Sequence, residues 1–177
     1  MILEKQQFDL WLFLLKQQKK ILSFTKPVCI ADQISKAKSV CICMPQNHTH
    51  FDTALACVNR IVNNEINVTI VVDRNEAQVD GTYQGKILKY PLSLKRSFPI
   101  KDKELDYIPT HYDIAIDLSP EPNELSAYIT GSRGRKMTIG LKSGHLDVFY
   151  TALIEPVGEY EKAVETMLGL AGLIIDN

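Results

Sequence analysis

The sequence predicts an α/β domain of three layers, with a mostly parallel sheet held between helices. Three observations lead there. Short, continuously apolar runs such as "SVCICM" have the composition of strands buried on both faces. Runs with helical spacing separate them. The interval between successive strands is long enough for a helical crossover, the connection that parallel neighbours require.

The elements follow in order. From about Glu4 to Phe24 the spacing is helical, with Phe8, Trp11, Leu12, Leu15 and Leu22 on one stripe and Leu10, Phe13 and Leu14 widening it. A helix apolar on so many sides is covered on more than one. Trp11 and Phe13 are therefore expected to bury against a second subunit or across an open docking surface, making the chain a homo-oligomer. Residues 1–37 read as this helix and a linker through Pro27 and "ADQISKAK", and residues 38–177 as the domain proper. "SVCICM" is the first strand, followed by the loop "PQNHTHFD" and the helix "TALACVNRIVNN", on which Leu55, Val58, Ile61 and Val62 share a face. "INVTIVVD" is the second strand and "KILKYPL" the third. Lys95 to Thr110 is charged, with one short helix at "DKELDYI". "YDIAIDL" is the fourth strand, "NELSAYITG" a helix ended by Gly131, and "KMTIGL" the fifth strand. "DVFYTALI" adds an extended segment, and "EYEKAVETMLGLAGL" is a final amphipathic helix carrying Val164, Met167, Leu168 and Leu170. The plan is Rossmann-like, with five to six strands.

Composition narrows the function classes. At 177 residues the chain fits one domain. Its net charge of −1, from 20 basic and 21 acidic residues, lacks the concentrated basic surface that nucleic acid requires. "FDLWLFLL" is far shorter than the roughly 20 residues that span a bilayer, so no transmembrane segment is expected. "KQQKK" follows that apolar run instead of preceding it, unlike a signal peptide, and the predicted location is cytoplasmic. Cys29, Cys41, Cys43 and Cys57 form no CxxC pair and read as reduced core residues, with Cys41 and Cys43 on one strand face.

No cofactor is expected. A dinucleotide site needs G-x-G-x-x-G at the first strand-to-helix turn, where "MPQNHTHF" has no glycine. "GRKMTIGLKSG" fails as a phosphate loop because Leu141 separates Gly140 from Lys142. "GSRGRK", with Arg133, Arg135 and Lys136, reads as a basic turn, either solvated or facing an anion.

The succession "YDIAIDLSPEPNELSAYITGSRGRKMTIGL", "FYTALIEP" and "EYEKAVETMLGLAGL" is similar to the N-terminal domain of the ADP-heptose:lipopolysaccharide heptosyltransferases, glycosyltransferase family nine. That domain has "YDLVIDL" on its fourth strand, a helix ending "SGA", then "RIGF", and later a helix ending "LLEALG". "SVCICMPQNHTHFDTALACVNRI" stands in the place of its first strand, loop and "TTPALRAL" helix, so the resemblance covers Lys38 to Leu173. It implies the strand order 3-2-1-4-5 and a role around lipopolysaccharide biosynthesis. Those enzymes have a second domain for the nucleotide sugar, which this sequence does not include. Their Gly-Asp pair, whose Asp is the candidate base, falls here on Asn47 and His48, with Asp52 one helical turn later. The expectation is a non-catalytic or accessory glycan-related binding domain, with a partner protein able to supply the missing half.

Ligands of open parallel sheets sit beyond the carboxyl ends of the strands, where strand order reverses. In the order 3-2-1-4-5 that point lies between strands one and four. Asn47, His48, His50 and Asp52 would then face Asp117, Ser119, Glu121 and Asn123 across one crevice, the last three and Asn47 as ligand-binding groups. Three readings stay open for the histidines. An H-x-H pair beside carboxylates can hold zinc, and "HTHFD" resembles the H-x-H-x-D stretch of metallo-β-lactamase-like hydrolases, although Thr53 stands where that family has its next His and only His111 and His145 remain. His48 or His50 can act as general base with Asp52 or Asp117 orienting the ring, making the chain a small hydrolase or transferase. Otherwise both are solvated loop residues, with Asp52 or Thr49 capping the next helix. Asp117 can equally serve its own turn, which Pro120 and Pro122 stiffen. As loop groups, His48 and Asp117 should contribute little to stability.

Overall fold

The computed structural model describes residues 9–15, 30–61, 65–73, 83–90, 105–156 and 158–174. Residues 9–15 are helical (α1), followed by α2 (Ile30–Ile34), β1 (Ser39–Cys43), α3 (His48–Val58), β2 (Asn67–Asp73), β3 (Lys86–Tyr90) and β4 (Tyr112–Asp117). Then come α4 (Glu124–Arg133), β5 (Gly134–Leu141), a 3₁₀ turn at Asp147–Phe149, β6 (Ala152–Ile154) and α5 (Tyr160–Leu170). The predicted positions Phe8, Leu22, Cys29 and Val62 lie outside the described residues, as do residues 95–104.

All six strands form one parallel sheet in the order β3-β2-β1-β4-β5-β6. This is the predicted Rossmann-like arrangement, with β6 drawn from "DVFYTALI". Strand periodicity sorts the core into two layers. Val40 and Ile42 of β1, with Ile114 and Ile116 of β4, face α3 and α5, meeting Phe51, Leu55, Val164 and Met167. Cys41, Cys43 and Ala115 face the other way, toward α4 and α1. Cys41, Cys43 and Cys57 are buried free thiols.

The amino ends of the strands are tied by Asp113. Its Oδ2 accepts from the backbone N–H of Lys38 at 2.8 Å and of Ser39 at 3.2 Å, while Lys136 Nζ meets Oδ1 at 2.7 Å. Partial desolvation works against the carboxylate, but Lys136 and these backbone donors outweigh it and hold its pKa below the usual value.

Three sequence expectations need correction. "ADQISKAK" includes the short helix α2 rather than being linker throughout. Trp11 is buried within its own chain, 5.1 Å from the Tyr128 ring and 5.9 Å from that of Phe149, whereas Phe13 is 57% exposed. Gly131 does not end α4: the helix continues to Arg133 and passes into β5 without a turn, so "GSRGRK" is no loop. The glycine is there for close packing. A Cβ at Gly131 would stand 2.8 Å from Phe149 Cδ1 and 3.1 Å from the Phe149 carbonyl oxygen.

This separates two expectations for Gly131→Ala. Helix propensity alone gives a gain of about 1 kcal/mol, whereas overpacking against Phe149 gives a loss of about 1–3 kcal/mol. We expect the loss in urea unfolding; a gain would place Phe149 elsewhere.

Candidate functional site

The β1–β4 pairing runs to Cys43 opposite Asp117, with one further bond from Leu118 N–H to the Cys43 carbonyl at 3.0 Å. Beyond it the chain leaves β1 for α3 on one face and β4 for α4 on the other. A cavity of about 160 Å³ opens where the loops part, lined by Pro45, Gln46, Asn47 and His50 from one side and Ser119, Pro120, Glu121 and Asn123 from the other. That volume is well below the ~300–1,000 Å³ of drug-sized sites. Such a space has room for one small molecule or one end of a larger one. Five of the eight predicted site residues meet here: Asn47, His50, Ser119, Glu121 and Asn123.

The other three are placed differently. Asn47 is the N-cap of α3, its side chain accepting from Thr49 N–H at 3.0 Å, so the cap is neither Asp52 nor Thr49. His48 and His50 consequently occupy the first turn of the helix rather than a loop. Two positions apart on a helix, side chains do not face one another. His48 is exposed and outside the cavity lining, and so is Asp52. The H-x-H pair cannot converge on one ion as α3 stands. His50 turns inward, its ring 4.7 Å from that of Tyr160 in an edge contact, and its Nδ1 is buried without a hydrogen-bond partner. Tyr160, the first residue of α5, donates its hydroxyl to the Leu118 carbonyl at 2.6 Å and so ties that helix to the crevice.

Asp117 is fully buried. Its Oδ1 accepts from Ser119 N–H at 2.9 Å and its Oδ2 from the Tyr150 hydroxyl at 2.8 Å. Burial pushes its pKa up, opposed by the hydrogen bonds from Ser126, Ser119 and Tyr150. Burial, with Asp117 beside it, likewise raises the Tyr150 hydroxyl, which remains a protonated donor. The contact depends on Gly140, where a Cβ would stand 2.6 Å from Tyr150 Cε1. Asp117 is therefore a core group that shapes its own turn, and the expectation of a dispensable loop carboxylate is corrected. Ser119 is 3% exposed, and its buried Oγ has no hydrogen-bond partner. Sequence reasoning missed Tyr150, Gly140 and Tyr160. The isolated glycine in "KMTIGL" was the available sign, since glycine inside a strand often marks a close approach.

Elsewhere, Cys57, Glu161 and Glu165 place ligand atoms within 4.8 Å of one another. Arg60 Nη2 already sits 3.0 Å from Cys57 Sγ, 3.0 Å from Glu161 Oε1 and 2.9 Å from Glu165 Oε1, so a guanidinium already engages all three. The basic residues of "GSRGRK" lie at the amino edge, away from the crevice. Arg133 donates to the Leu105 carbonyl, Arg135 meets His111, and Lys136 pairs with Asp113. A wider cavity of about 1020 Å³ opens at that edge beside Asn67, Lys86 and Tyr112, with no carboxylate or imidazole among its described lining residues.

Fold and site together define an α/β Rossmann-like domain with a small polar crevice at its topological switch point. No protein-family model, curated protein or solved structure matches the chain. No helix among the described residues is long and apolar enough to cross a membrane.

Because the folded pKa of Asp117 is raised above its unfolded value near 3.8, the stability linked to its proton is complete below that value. It is lost as pH rises through the folded pKa. Urea unfolding across that span should show the wild type losing stability relative to Asp117→Asn, whose amide does not titrate. Parallel pH profiles for the two proteins would mean that the carboxyl is not held neutral by burial.

Proposed function

We propose that this domain is a non-catalytic, accessory glycan-related binding module that takes a small polar ligand in the β1/β4 crevice. The observation that carries this reading is the pairing of two buried, unpartnered polar atoms, His50 Nδ1 and Ser119 Oγ, on residues that line one cavity. Leaving such groups unmet costs about 1–3 kcal/mol each, which a bound polar ligand offsets. Amide side chains from Gln46, Asn47 and Asn123 add the hydrogen-bonding groups by which sugars are held. The glycan class itself rests on the motifs shared with heptosyltransferases, and so does a partner protein carrying the nucleotide-sugar half. A cytoplasmic setting belongs to the same reading. Catalysis is less well supported: Asp117 is committed to Ser119 and Tyr150, so the carboxylate that would orient a catalytic histidine is in use.

Titration of labelled protein with monosaccharides, followed by amide NMR, should give saturable shifts at Ser119 and Asn123. His50→Ala should weaken that binding about 10-fold, the equivalent of one hydrogen bond of about 1.4 kcal/mol. Saturable turnover of ester or glycoside substrates that disappears in His50→Ala would replace this reading with a hydrolase.

Self-association through α1 is the second part of the proposal. Leu10, Phe13 and Leu14 are 61%, 57% and 46% exposed, an apolar patch on α1. Light scattering should give a homo-oligomer that Phe13→Glu converts to monomer; a wild-type monomer at all concentrations would contradict it.

A further inference from the structure

We propose that the β1/β4 crevice seats an anionic group of its ligand, a phosphate or a carboxylate, between the amino ends of α3 and α4. This rests on the reading of the crevice as a ligand site and specifies what enters it. The argument starts from the two caps. Asn47 Oδ1 accepts from Thr49 N–H at 3.0 Å, and Asn123 Oδ1 accepts from the N–H groups of Leu125 and Ser126, both at 3.0 Å. Capping therefore fixes which end of each side-chain amide faces its helix. The opposite end, the Nδ2–H₂ donor, has no acceptor among the described residues, and both asparagines line the cavity. Side chains that carry donors thus line the crevice from both loops.

Helix geometry adds to this. An 11-residue and a 10-residue helix both begin at the cavity, and each amino end carries partial positive charge from its aligned peptides. The independent sign of a ligand is Ser119, a residue of the same cavity lining that is only 3% exposed and whose buried Oγ has no partner. His50 Nδ1 is the second unmet buried atom. A neutral sugar hydroxyl needs an acceptor for its own proton, whereas phosphate and carboxylate oxygens need only donors. On the acceptor side, Gln46 donates its amide to the Tyr90 hydroxyl at 2.8 Å and so keeps its oxygen available.

Two exposed carboxylates oppose an anion. Glu121 is an exposed carboxylate in the cavity lining, and Glu124 stands in the first turn of α4. Asp117 has both oxygens already engaged, by Ser119 N–H and by the Tyr150 hydroxyl. Glu121 is consequently the residue that tells an anionic ligand from a neutral one. Removing its charge strengthens binding of an anion and leaves a neutral sugar unchanged.

The test uses the full chain, isotope-labelled, with four probes: inorganic phosphate, glucose 6-phosphate, glucuronate and glucose. The expected result is that phosphate or glucuronate, and the phosphorylated sugar, shift the side-chain NH₂ resonances of Asn47 and Asn123 at concentrations where glucose does not. Glu121→Gln should tighten that binding about 2- to 5-fold, the range of an exposed charge interaction. Whether the phosphate or the carboxylate arm is tighter identifies the source of the anion. Glucose binding in the crevice as tightly as the charged probes, or an affinity for them unchanged in Glu121→Gln, overturns the anionic inference and leaves the crevice reading standing. If no probe moves the Asn47, Ser119 or Asn123 resonances, both fall.

Discussion

The carboxyl group of Asp117 is the fixed point on which the carboxyl edge of this sheet depends. It ends β4 opposite Cys43 of β1, at the place where the two strands send their chains to opposite faces. One oxygen holds the following turn through Ser119 N–H and the other holds Tyr150 across the sheet. Burial raises its pKa, and both oxygens meet donors, as a buried carboxyl requires. The geometry passes from there to the crevice. Ser119 and Pro120 line it, and Asn123 starts α4 beside them.

The same economy of polar groups recurs at the other edge and on the flank. Asp113 binds the entry to β1 and pairs with Lys136, and Arg60 gathers Glu161 and Glu165 between α3 and α5. Those last two pairs lie on largely exposed side chains, where ion pairs contribute little to stability. They fix position more than they add free energy. Two residues that line the crevice, His50 and Ser119, carry buried polar atoms without partners.

Much of this was legible from the sequence because burial on both faces writes itself as continuous apolar runs. "SVCICM", "YDIAIDL" and "KMTIGL" fall on central strands, and the reversal between strands one and four follows from their order. The crevice followed from the strand order that the resemblance to heptosyltransferases implied, which brings Asn47 and Ser119 to one edge. What was not legible depends on where a helix begins and on what packs across the sheet. One residue of capping at Asn47 puts His48 and His50 on different sides of α3, and nothing local in "QNHTHFD" decides between that and a loop. Gly131 and Gly140 resemble terminators or weak points in one dimension. In three they make room for Phe149 and Tyr150, which lie well along the chain.

The measurement that tests this account most directly is a crystal structure of the chain at a resolution that orders solvent. The account predicts that Asp117 bonds Ser119 N–H and the Tyr150 hydroxyl, and that Ser119 Oγ and His50 Nδ1 each meet a ligand or ordered water in an open crevice. A crevice closed by Glu121 or His50, with both of those atoms paired to protein groups, would contradict it.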